Sequence, residues 1–87
     1  MQNFSGMIFS GDLDRMQESF YLTQVKNLET ASILSEKKLT ELNHYLSSQD
    51  DTCMITINDQ IPILLKEQEV SELVTDLTKI IDALKAP

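Results

Sequence analysis

The sequence predicts one small α+β domain, residues 1–87, in the order α-β-β-α: a long N-terminal helix, a β-hairpin and a C-terminal amphipathic helix, assembled as an oligomer. Three observations lead to this. Residues 12–48 run without glycine or proline and carry apolar side chains at spacings of four and three, the spacing of one helical face. Residues 52–65 alternate apolar and polar with the period of a half-buried strand. Residues 67–85 return to a helical repeat.

The arm before the first helix, residues 1–11, has no ionisable side chain and holds both glycines of the chain, Gly6 and Gly11. Phe4, Met7, Ile8 and Phe9 crowd within it. A small domain can hardly spare four large apolar side chains, so the arm is expected as a short strand or irregular segment tucked over the core. The competing expectation is an exposed arm that contacts a partner through the same four residues.

Asp12 is a suitable N-cap for the long helix, with Asp14 and Glu18 near the positive end of its dipole. The stripe consists of Tyr21, Val25, Leu28, Ser32, Ser35, Leu39, Leu42 and Leu46, widened by Phe20, Ala31, Leu34 and Tyr45. At ~1.5 Å per residue, a helix over 12–48 is about 54 Å long. A compact domain of this size is roughly 30 Å across. The helix must therefore break, with Ser32 or Ser35 as an internal cap, or run whole along a second copy. Neither serine has Glu or Gln three residues on, so no capping box supports a break. The expectation is an unbroken helix, with the eight stripe residues as candidate interface of a coiled-coil homodimer and its small central residues allowing close approach.

"SSQDD", residues 47–51, is the loop into the hairpin. Cys53, Ile55 and Ile57 share one face, and Thr52, Met54 and Thr56 the other. Asn58-Asp59-Gln60 makes the turn, and Ile61, Ile63 and Leu65 repeat the alternation. Pro62 cannot donate to a ladder and belongs on an edge. A two-stranded hairpin is marginal alone and needs a helix on its apolar face. That helix follows, with Val70, Leu73, Val74, Leu77, Ile80, Ile81 and Leu84 on a wide stripe. Glu67 and Glu69 stand in its first turn, and Leu65 and Val70 are placed for a hydrophobic staple.

Chemistry is sparse. His44 stands off the stripe near a helix end, and Cys53 sits on the apolar side of a strand, so neither reads as catalytic. One Cys and one His are too few for a four-ligand zinc site. "DLDRMQE", residues 12–18, lacks the glycine and distal Glu of a calcium loop. No glycine-rich strand-to-helix turn is available to cradle phosphate. No cofactor, catalytic group or metal ligand is therefore expected.

A net charge of −7, from 14 acids against 7 bases, argues against direct nucleic-acid or anionic-membrane binding. No leader-like or membrane-spanning run is visible, and the expected setting is cytoplasmic. The function these residues suggest is a non-enzymatic protein-binding module, such as a small acidic regulator, adaptor, inhibitor or chaperone. Its expected partners are itself, as a homodimer through the helical face, and one further protein. The alternative is an acidic decoy, of the phage-inhibitor or immunity-protein type, that blocks a nucleic-acid-binding protein or a basic toxin. Residues 12–51 hold eight acids and four bases, residues 52–87 six and three, so the excess is spread evenly rather than gathered in the stripe a mimic needs. A third class, an enzyme or small-molecule binder with a pocket formed between copies, has no residue pattern in its favour.

Overall fold

The computed structural model describes residues 2–49, 51–57 and 62–85. Four strands, β1 (Gln2–Ser5), β2 (Phe9–Asp14), β3 (Ser19–Val25) and β4 (Leu28–Ser35), form an antiparallel sheet in sequence order. Helix α1 (Glu36–Ser47) follows. Strands β5 (Cys53–Thr56) and β6 (Pro62–Leu65) make a separate antiparallel hairpin, and α2 (Glu67–Lys85) completes the described chain.

The long helix over 12–48 is therefore corrected: most of that segment is sheet, and only its last third is helical. The reason lies in turn chemistry and in one extra residue. The absence of glycine reads as continuity, but the chain turns without it. Glu18, the last residue of the β2–β3 turn, and Lys26, in the two-residue β3–β4 turn, adopt left-handed φ values of 51° and 57°. Strand β3, SFYLTQV, is also rich in the aromatic and β-branched residues that fit a pleated surface. Thr23 is passed over in the pairing to both neighbouring strands: Ser10 faces Gln24 and Gly11 faces Leu22, while Leu22 faces Ser32 and Gln24 faces Glu29. This β-bulge breaks the period of two, so Phe20, Leu22 and then Val25 point inward. The resulting spacing imitates a helical stripe.

Gly11 stands opposite the bulge. A Cβ there would collide with the Tyr21 carbonyl oxygen, so this close strand approach admits only glycine.

Ser35 is the N-cap of α1, its hydroxyl accepting from the Lys38 N–H at 3.1 Å. The expectation of an unbroken helix passes over this cap because no Glu or Gln follows at the third position. The molecule measures 34 Å along its longest axis, with a Cα radius of gyration of 11.9 Å.

The core lies between the inner face of the sheet and the layer made by α1, α2 and the hairpin. Phe9, Leu13, Phe20, Leu22 and Leu34 come from the sheet, Leu39 and Leu46 from α1, Ile55, Ile63 and Leu65 from the hairpin, and Leu73, Leu77 and Ile80 from α2. Phe4 packs on this cluster with its ring edge-on to Phe20, centroids 5.9 Å apart and planes at 85°. Lys85 near the end of α2 pairs with Glu36 at the start of α1 at 3.5 Å, so the two helices run antiparallel.

Helix α2 begins where the sequence places it. Glu69 reaches back to accept from the Lys66 N–H at 2.9 Å, the reciprocal half of a capping box, while Leu65 and Val70 are both buried, in accord with a staple. The Lys66 amide and then the Lys26 ammonium, 2.9 Å away, hold the Glu69 carboxyl below its ordinary range.

The hairpin pairs Cys53 with Leu65, Ile55 with Ile63 and Thr56 with Pro62. The expected turn at Asn58-Asp59-Gln60 and the inward position of Ile61 lie outside the described residues. Ile55 is buried and Thr56 exposed. Ile55→Ala should cost about 2 to 5 kcal/mol in a urea melt. Thr56→Ala should cost no more than about 1 kcal/mol. Equal small losses at both positions would contradict the packed hairpin.

Among the described residues, one acidic side chain is buried. Asp76 of α2 is 2% exposed, and its carboxylate accepts from the backbone N–H groups of Met7 (3.1 Å), Ile8 (2.7 Å) and Phe9 (3.0 Å). These amides belong to the turn between β1 and β2 and to the first residue of β2, and Gly6 closes the turn by donating to the Phe9 carbonyl at 2.9 Å. A Cβ on Gly6 would stand 2.5 Å from the Asp76 carboxyl carbon, so the turn and the acid fit only because residue 6 has no side chain.

Candidate protein-binding surface

A half-buried hairpin turns one face to the core and ordinarily presents polar residues on the other. In β5–β6 the outer face departs from that pattern. Met54 and Leu64 are directly opposed across the strands, and they are 55% and 52% exposed. Beside them, α1 seats Leu39 and Leu46 in the core and leaves Leu42 half-buried on the flank of the same stripe. Tyr45, one turn further along α1, is 46% exposed. An open groove of about 260 Å³ runs between α1 and β5, lined by Leu42, Tyr45, Met54 and Ile55, with Lys38 and Glu41 of α1 and Thr56 of β5 among its polar groups.

Apolar side chains from a helix and a hairpin thus meet on one exposed surface. Single exposed apolar residues, such as Met16 near the β2–β3 turn, are ordinary, whereas a contiguous group with a polar rim suits a partner.

The sequence-derived interface residues do not share one face. Tyr21 and Val25 lie on β3, Leu28, Ser32 and Ser35 on β4, and only Leu39, Leu42 and Leu46 on a helix. Val25, Ser32, Leu39 and Leu46 are buried within one chain, and α1 lays its apolar stripe against α2 and the sheet rather than along a second copy. The coiled-coil seam is corrected accordingly. Ser32 does not ease a helix crossing; its hydroxyl lies 3.0 Å from that of Thr30 on the same strand. Of the arm residues, Ile8 and Phe9 enter the core, Phe4 packs against it, and Met7 is exposed.

Met54 and Leu64 were missed as surface candidates. The signal for them was nevertheless present, since apolar residues at outward positions of an alternating strand contradict the polar face that alternation implies.

His44 is exposed in the last turn of α1, while Cys53 is buried on the inner face of β5, where burial pushes its thiol up from the ordinary range. Among the described residues, no group of three or more His, Cys, Asp or Glu is placed to hold a metal ion. No helix of the described residues is long and apolar enough to cross a membrane.

Comparison of the chain with protein-family models, with curated proteins and with solved structures found no match.

Proposed function

We propose that this chain is a non-enzymatic protein-binding module that engages its partner through the surface formed by α1 and the outer face of β5–β6. The observation that carries this reading is the Met54–Leu64 pair. Two large apolar side chains stand opposed on an outward strand face and continue through Leu42 and Tyr45 into the groove. Covering such a surface is favourable at about 25 cal/mol per Å² of apolar area. A partner that fits presents an apolar segment to the groove, and basic flanks would be steered toward it by the net charge of −7.

The acidic-decoy reading draws less support. Asp76 is enclosed by backbone amides, and Glu69 and Glu36 are paired with Lys26 and Lys85, so three carboxylates are already engaged within the chain.

The test is affinity capture from extract of the cell that makes the protein, using wild type and the double variant Met54→Asp/Leu64→Asp. Both positions face outward, so the melt should stay within about 1 kcal/mol of wild type. Retention of a partner by wild type and its loss with the variant is the expected result. A partner held equally by both proteins would overturn this surface.

A further inference from the structure

We propose that the outer edge of β1 is a self-association surface, on which a second copy adds its own β1 antiparallel about a two-fold axis at Phe4. This contact lies apart from the hairpin surface and does not depend on it.

The phase of the ladder fixes what the edge offers. Gly6 donates to Phe9, which makes Gly6–Phe9 a hydrogen-bonded pair, and such pairs alternate along an antiparallel ladder. Phe4 with Gly11 and Gln2 with Leu13 are then bonded pairs, while Asn3 with Asp12 and Ser5 with Ser10 are not. The main-chain N–H and C=O groups of Asn3 and Ser5 therefore point away from β2. Among the described residues, no hydrogen bond satisfies these outward groups.

With the axis at Phe4, Asn3 of one copy faces Ser5 of the other, and the two exchange both N–H···O=C bonds, repeated by symmetry.

Two further observations favour a second copy as the occupant. Edge strands are commonly protected by charge, proline or a bulge. β6 begins at Pro62 and β4 carries Glu29, whereas β1 reads QNFS with none of these. Residues 1–11 form the longest stretch of the chain without an ionisable side chain, so two copies can meet there despite a net charge of −7 each. The nearest acid on the outer face is Asp12, one strand in from the edge. Three strand spacings separate it from its symmetry mate, about 14 Å, beyond the screening length of roughly 8 Å at physiological salt.

On the inner face, Phe4 is only half-buried and Met7 is exposed. Both border a groove of about 320 Å³ between β1 and α2, which the partner's Phe4 approaches in the two-fold arrangement.

So short an edge makes a weak, concentration-dependent dimer, with a dissociation constant on the order of tens to hundreds of micromolar. Sedimentation equilibrium across that range tests it. Asn3→Glu/Ser5→Glu sets like charges opposite one another and should weaken the dimer at least about tenfold. Asn3→Glu/Ser5→Lys sets opposite charges in the same places and should restore or tighten it. Hydrogen exchange on wild type serves as a second measurement, independent of any variant. The Asn3 and Ser5 amides should gain protection as concentration rises, while the Phe4 amide, already bonded to β2, should not. A wild type that stays monomeric, or a dimer indifferent to both charge pairs, would overturn the proposal. Loss of the dimer with Met54→Asp/Leu64→Asp and not with the edge variants would assign self-association to the hairpin instead.

Discussion

Asp76→Ala is expected to lower stability by about 2 to 6 kcal/mol, because it strands the buried Ile8 and Phe9 N–H donors at about 1 to 3 kcal/mol each. The Met7 donor is only partly buried and can turn to water, so it adds less. Asp76→Asn preserves shape but replaces one acceptor oxygen by a donor facing other donors, so it should recover only part of the loss. Asp82, exposed on the same helix, is the control. Asp82→Ala should change stability by no more than about 0.5 kcal/mol. Urea melts of the three variants check this, and equal effects at 76 and 82 would refute the clasp.

Phe20→Ala should cost about 3 to 5 kcal/mol, the range for emptying a large aromatic site in a close-packed core. It also removes the edge-on contact with Phe4. Tyr21→Ala, at the adjacent position, should cost no more than about 1 kcal/mol, since Tyr21 lies on the outer face opposite Asp12 and Ile33. The pair separates two architectures. In the helix drawn from spacing alone, Tyr21 belongs to the seam and Phe20 to its margin. In the sheet, the order is reversed. A larger loss at Tyr21 than at Phe20 would restore the helix.

The second half of the chain was legible because each of its signals is local. Alternation at Cys53, Ile55, Ile63 and Leu65 needs only a period of two, and the staple and acidic first turn of α2 mark its start within a few residues. The first half failed for reasons that are equally specific. Glu18 and Lys26 take left-handed turns that sequence custom assigns to Gly or Asn, so β2, β3 and β4 read as one uninterrupted segment. The Thr23 bulge then shifts Val25 onto the inner face and lends β3 the spacing of a helix. Ser35 is a possible cap with no capping box in the sequence to mark it, although its hydroxyl alone suffices.

The candidate surface was legible only in part. Met54 and Leu64 can be placed outward from alternation, but their junction with Leu42 and Tyr45 depends on how α1 docks. That docking is unreadable once α1 is taken as the tail of a longer helix.

The Asp76 clasp joins residues 67 to 69 positions apart. During synthesis, β1 to β4 leave the ribosome well before α2, so the Ile8 and Phe9 amides stay hydrated and the inner face of the sheet stays open. Long-range contacts of this kind slow folding, because the chain must lose much of its freedom before they form. Until α2 arrives, the nascent sheet exposes Phe9, Phe20 and Leu22, the kind of surface on which partly made chains aggregate and which chaperones cover. Completion of this fold thus waits for α2, and the four strands that precede it cannot reach it alone.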